Sequence, residues 1–123
     1  KADPTNKTAL GGGIVIKNHA NRAYITDGLS SSLLKMIFNR AEVKYQTFFN
    51  RSDMLGGSSL GNISNSHVSL NTIDIGLPQL AMHSCYETAG VADAENLTKA
   101  MRAYYGSTLT IPQDGHIELR IEN

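Results

Sequence analysis

One cysteine, Cys85, is all the thiol this chain has, so no intramolecular disulfide can staple its fold. A lone thiol fits a reducing compartment, and the expectation is a cytoplasmic protein. An excess of charge of either sign is also missing: 11 Lys and Arg side chains balance 11 Asp and Glu. There is no Lys/Arg-rich run, which excludes the clustered positive charge of a nucleic-acid binder. No apolar stretch approaches the roughly 20 residues that cross a bilayer, so no membrane partner is expected. The first thirteen residues, KADPTNKTALGGG, lack the apolar segment of a signal peptide. Internal repeats and low-complexity stretches are absent as well.

What remains is 123 residues, 41% hydrophobic and 18% charged, the composition of one globular domain with a single core. Residues 1–12 are polar and carry Pro4 and the start of a Gly triplet, and they read as loop. Gly13–Lys17 (GIVIK) is a short β-branched run, the composition of a buried strand. A turn at Asn18–Asn21 and an extended piece at Ala23–Thr26 follow. Asp27 is placed to cap a helix over Gly28–Glu42, whose Leu29, Leu33, Met36 and Ile37 follow helical spacing. Tyr45–Phe49 reads as the second strand, Ser59–His67 as a short helix opened by a Gly/Ser loop, and Thr72–Gly76 as the third strand. Ala92–Tyr105 is the third helix, with Leu97, Ala100, Met101 and Tyr104 on one face. The alternation β-α-β-α-β-α points to an α/β fold, three-layered, with a mainly parallel sheet and flanking helices. Thr108–Ile111 and His116–Ile121 flank a Pro-Gln-Asp-Gly turn, so residues 107–123 form a β-hairpin tail on a core spanning 13–106. Ligands bind at the loops that follow strand ends in such sheets, which directs attention to Asp53–Gly61 and Leu77–Ser84.

The stretch Asn50–Glu87, NRSDMLGGSSLGNISNSHVSLNTIDIGLPQLAMHSCYE, resembles the C-terminal catalytic segment of the aspartyl aminopeptidase / aminopeptidase I family. The likeness rests on an R-x-D turn, a G-G-S-S-x-G loop, the D-I-G-x-P-Q-L-A-M-H-S strand and loop, and E-T-A-G after it. Val15–Tyr24 (VIKNHANRAY) is similar to the family element V-I-K-x-x-x-N-x-x-Y, though N-R-A-Y stands where the family shows N-Q-R-Y. The resemblance runs from about Pro4 to Tyr105. It implies a zinc aminopeptidase that removes N-terminal, acidic residues from peptides with a free N-terminus. It further implies a homo-oligomer with two zinc ions per subunit. The family's zinc ligands include an H-x-D pair and an E-E pair, and this chain contains neither. The expectation is therefore a truncated or proteolytic piece of a longer enzyme, one that is inactive alone and holds no catalytic residue of its own.

By this resemblance His83 is the final zinc ligand, Lys17 the cation facing the acidic side chain of the substrate, and Tyr24 a substrate-binding phenol. Read from the residues alone, a single His is more often a surface or core residue than a ligand. Lys17 is then a strand-end lysine reaching solvent, and Tyr24 is core packing. His19, His67 and His116 match no metal pattern. Gly56, Gly57 and Ser58 bring backbone N–H groups to a ligand or form a simple turn. Asp53 is expected to brace that loop, Glu87 to cap or brace its helix, and Cys85 to be buried and inert. Two rival readings stay open: a non-catalytic α/β packing or assembly module, and a related co-catalytic zinc deacylase.

Overall fold

The computed structural model describes residues 4–19, 24–51, 53–54, 57, 59–113 and 115–121. Asn21 and Ala23 of the expected turn and extended piece, and Gly56 and Ser58 of the Gly/Ser loop, lie outside the described residues.

The β-branched run forms β1 (Ile14–Asn18), with Ile14, Val15 and Ile16 buried. A loop then leads to α1 (Gly28–Arg40), whose first turn is capped as its sequence requires. Asp27 Oδ1 accepts the Ser30 backbone N–H at 2.7 Å, and Oδ2 takes the Ser30 hydroxyl at 2.9 Å. The helix stops two residues before the expected Glu42 because that residue turns left-handed, with φ 52°. Its N–H donates to the carbonyl of Asn39, and the Val43 N–H donates to that of Phe38, the paired bonds of a Schellman stop. Phe38 and Val43, the residues that this motif brings together, are both core side chains. The buried face of α1 is Ser31, Leu34, Ile37 and Phe38, not the expected Leu29–Leu33–Met36–Ile37 row. Leu29 and Met36 are exposed. The runs Leu33-Leu34 and Met36-Ile37-Phe38 present apolar residues to two adjacent faces, and packing selects one of them.

From α1 the chain enters β2 (Tyr45–Phe49), parallel to β1 from Ile14↔Tyr45 to Asn18↔Phe49. This is the right place for a helical crossover, which a parallel pair needs. The third strand departs from expectation. β3 is only Ile75–Gly76, and it runs antiparallel to β1 on its other edge, with Ile16↔Ile75 and Val15↔Gly76 paired. The sheet is thus mixed, in the order β2-β1-β3, rather than mainly parallel. The intervening helix α2 (Leu60–His67) has eight residues and buries none of them. It spans about 12 Å at 1.5 Å per residue, and after it the chain enters β3 antiparallel to β1.

Two further elements complete the core segment. β4 (Gln79–Leu80) and β5 (Thr88–Ala89) pair antiparallel, and α3 (Val91–Tyr105) follows. Alternation along β1 sends Ile14 and Ile16 to one face and Val15 and Lys17 to the other. Ile14 and Ile16 cluster with Leu34, Ile37 and Phe38 of α1, with Val43 and with Ala100 of α3. Both core helices therefore pack against the same face of β1, and the fold is mixed α/β with small sheets and three helices. Leu97 and Ala100 meet the core as expected, whereas Tyr104 is exposed. Full burial of a side chain such as Phe38 contributes about 1.5–3 kcal/mol. The tail is the expected hairpin, β6 (Ser107–Gln113) against β7 (His116–Ile121), and Leu119 and Ile121 lean on the core.

The start of α3 is fixed by a carboxylate that nothing in its sequence neighbourhood singles out. Asp93 is fully buried in the first turn, and its two carboxylate oxygens accept the backbone N–H groups of Gly11 and Gly13, each at 2.8 Å. A carboxylate there also meets the positive end of the helix dipole. Gly13 itself has φ 89°, and a Cβ on it would lie 2.1 Å from the Lys44 carbonyl oxygen, so the Gly triplet is a packing requirement at that position.

Candidate functional site

Lys17 is half-buried near the end of β1, on the face opposite the core. Its ammonium nitrogen sits 5.7 Å from the centroid of the Tyr24 ring, within the reach of a cation–π contact. His19 meets the same ring edge-on, with centroids 5.8 Å apart and planes at 76°. Among the described residues Lys17 makes no ion pair with a carboxylate. The two residues assigned to the substrate by resemblance are therefore neighbours.

Asp74, just before β3, holds the segment that carries Tyr24. Its Oδ2 accepts the Ile25 N–H at 3.0 Å and the Ser59 hydroxyl at 2.9 Å, while its own N–H donates to the Thr26 hydroxyl at 2.9 Å. Its carbonyl takes the Lys17 N–H at 2.9 Å. One residue thus joins β1, the Tyr24 segment and the start of α2. The signal for it was a lone carboxylate in T-I-D-I-G, since a half-buried acid flanked by apolar residues needs donors nearby.

His83 occupies a different feature. The ladder pairs Gln79↔Ala89 and Leu80↔Thr88 close a loop of residues 81–87, and His83 stands in it with an exposed side chain. Ala81 and His83 have φ of 52° and 70°, left-handed values that cost non-glycine residues about 1–3 kcal/mol each. The surrounding bonds that hold this geometry are local. The His83 N–H donates to the Glu87 carboxylate, the Ser84 N–H to the Ala81 carbonyl at 2.9 Å, and the Tyr86 N–H to the Ser84 hydroxyl at 3.1 Å. Glu87 accordingly braces the histidine loop instead of capping α3, whose N-cap is Gly90. Cys85 lies in the same exposed loop, so the expectation of a buried thiol is corrected. No hydrogen bond or ring contact among the described residues joins His83 to Lys17 or Tyr24.

Near the Gly/Ser loop, Asp53 pairs with Arg51 through two bonds of 2.9 and 2.6 Å. The Arg51 hydrogen bond, with its positive charge, holds the Asp53 carboxyl below its ordinary value. Both side chains are exposed. A cavity of about 390 Å³ lies elsewhere, between Leu34 and Ile37 of α1, Tyr104 of α3 and Leu109 and Leu119 of the hairpin.

Zinc in a protein takes three or four convergent His, Cys, Asp or Glu donors. Among the described residues no three such side chains come together. His83 offers a single imidazole, so these residues do not make a zinc centre by themselves.

Comparison with known proteins places this arrangement. The sequence matches the family described as aminopeptidase I zinc metalloprotease (M18) over residues 1–105. A probable M18 family aminopeptidase 2 of Clostridium novyi is 44% identical over 105 residues, covering 85% of this chain and 24% of the relative. Its counterpart from Pseudomonas aeruginosa is 42% identical over 108 residues, covering 88% and 25%. In a solved complex of Ape4 and Nbr1, one chain superposes with a TM-score of 0.81 at 34% identity, covering 85% of this chain and 20% of that one. Yeast aminopeptidase 1 shares the fold, with a TM-score of 0.70 at 24% identity, covering 83% of this chain and 22% of that one. The chain belongs to the aminopeptidase I (M18) family of zinc metalloproteases. It spans about a quarter of the length of the curated relatives it matches, and the hairpin tail lies beyond the matched residues.

Proposed function

We propose that this chain is the C-terminal segment of the catalytic domain of a zinc aminopeptidase that removes acidic residues from the N-termini of peptides. His83 supplies one zinc ligand, and Lys17 and Tyr24 face the first residue of the substrate. The observation that carries this reading is the half-buried Lys17, whose ammonium lies near the Tyr24 ring and has no carboxylate partner among the described residues. A cation in a half-buried site selects a carboxylate, because leaving either charge unpaired away from bulk water is costly. The exposed His83 supports the metal role, since its loop is held through its backbone N–H and Glu87. When bound, the metal would lower the pKa of a water to give a hydroxide nucleophile, and the remaining donors would come from outside this segment. The chain alone is then catalytically silent, and the whole protein is a cytoplasmic homo-oligomer.

The test is the ratio of kcat/KM on N-terminal Asp to N-terminal Leu substrates in the full-length enzyme, before and after Lys17→Met. A charge-assisted hydrogen bond is worth about 1.5–3 kcal/mol, so the ratio falls by roughly 10- to 150-fold. An unchanged ratio returns Lys17 to the role of a strand-end lysine reaching solvent.

A further inference from the structure

We infer that Gly76 is a specificity-determining positioning residue: its missing side chain is the space into which the Lys17 side chain folds to reach its working position. This rests on the acidic-substrate reading above and extends it to a residue that touches neither metal nor substrate.

Nothing in the backbone at position 76 demands glycine. Its φ is not in the left-handed region, which among the described glycines is occupied by Gly11, Gly13 and Gly115. The residue sits in an ordinary antiparallel ladder, opposite Val15. In such a ladder, paired residues share a face, so Gly76 lies on the face of Val15 and Lys17 and is the diagonal neighbour of Lys17. A Cβ built on Gly76 would lie 3.0 Å from Lys17 Cε and 3.2 Å from Nζ, and no other described heavy atom comes within 4 Å of it. A strand residue without a side chain is a poor choice for sheet stability. Here, among the described residues, the only thing that a side chain would displace is the end of Lys17.

The consequence is geometric. Carbon–carbon contacts settle at about 3.5–4.0 Å, so an alanine at position 76 drives Cε back by about 0.5–1 Å. The end of a lysine is flexible, so the fold absorbs this at little cost. The ammonium, however, moves from its seat against Tyr24. A displacement of that size in a charge-assisted contact costs a large part of the discrimination it supplies, because binding groups must meet within tenths of an ångström.

The experiment uses the full-length enzyme and four proteins: wild type, Gly76→Ala, Lys17→Met and the double variant. Each is assayed on anilide substrates with N-terminal Asp and with N-terminal Leu, with KM and kcat separated. Gly76→Ala is expected to lower the Asp-to-Leu ratio of kcat/KM by about tenfold, mainly through KM for Asp, with Leu turnover unchanged. In the Lys17→Met background the same substitution is expected to change nothing further, the signature of two residues acting through one interaction. If Lys17→Met collapses the ratio and Gly76→Ala leaves it intact, the positioning role is overturned and the Lys17 reading stands. A ratio indifferent to Lys17→Met overturns both. Rates that fall alike on the two substrates, or a Gly76→Ala protein that does not fold, also overturn the inference, because glycine is then a backbone requirement.

Discussion

Replacing Asp93 by alanine tests the joint on which the segment is built. In the native chain its carboxylate is fully buried and binds the N–H groups of Gly11 and Gly13 at 2.8 Å each. Gly13 is buried, so its orphaned N–H finds no water and carries a desolvation cost of about 1–3 kcal/mol. Gly11 is exposed and can turn to solvent, which limits its loss to about 0.5–1.5 kcal/mol. Removing negative charge from the first turn of α3 forfeits about another 0.3–1 kcal/mol. Together these give about 2–5 kcal/mol, a large fraction of the roughly 5–15 kcal/mol that separates folded from unfolded domains. Asp93→Asn keeps the shape but turns an NH2 group toward one of the two donors, so it falls between wild type and alanine. Urea denaturation of the full-length protein gives the order wild type, Asn, Ala, and hydrogen exchange at the Gly13 amide reports the local loss. If Asp93→Ala stays within about 0.5 kcal/mol of wild type, the range of a neutral surface change, the carboxylate is not what docks the loop onto α3.

Other consequences follow from the same geometry. His83→Ala in the full-length enzyme is expected to abolish turnover and lower zinc content per subunit, read by metal analysis; normal metal and turnover would remove His83 from the ligand set. The isolated chain is expected to show no chelator-sensitive hydrolysis of an aspartyl chromogenic substrate, because one imidazole cannot hold a catalytic zinc. Asp53 is expected to titrate below an ordinary aspartate because of its Arg51 hydrogen bond. A carboxyl depressed in this way favours the folded loop above its unfolded pKa and loses that contribution as pH falls through the folded value. Arg51→Ala should move its carboxyl titration upward by NMR, and an unmoved titration would mean the pair does not form in solution.

The sequence was most legible where local chemistry and packing agree. β2 matches its expected bounds, and the Asp27 cap and α3 lie within a residue or so of theirs. The β-branched IVI run could only be a buried strand. The failures share a cause, which is that short elements take their direction from contacts distant in sequence. Ile75–Gly76 carries no mark of antiparallel pairing, and two-residue strands such as β4 and β5 leave no periodicity to read. Asp93 was hidden in a helical run as an ordinary polar position, because its partners lie some eighty residues upstream. At the candidate site, resemblance named Lys17, Tyr24 and His83, and the fold added that Lys17 and Tyr24 are neighbours. It also added Asp74 and turned Glu87 from its helix to the histidine loop; both hold backbone, a role that residue type alone does not announce.

The most direct test of the central claim is a crystal structure of the full-length holoenzyme with anomalous scattering collected at the zinc edge. A ring nitrogen of His83 is expected at about 2.0–2.1 Å from a zinc ion, with the remaining ligands drawn from outside this segment. A zinc centre formed entirely by other residues, with the His83 imidazole facing solvent, would contradict the claim.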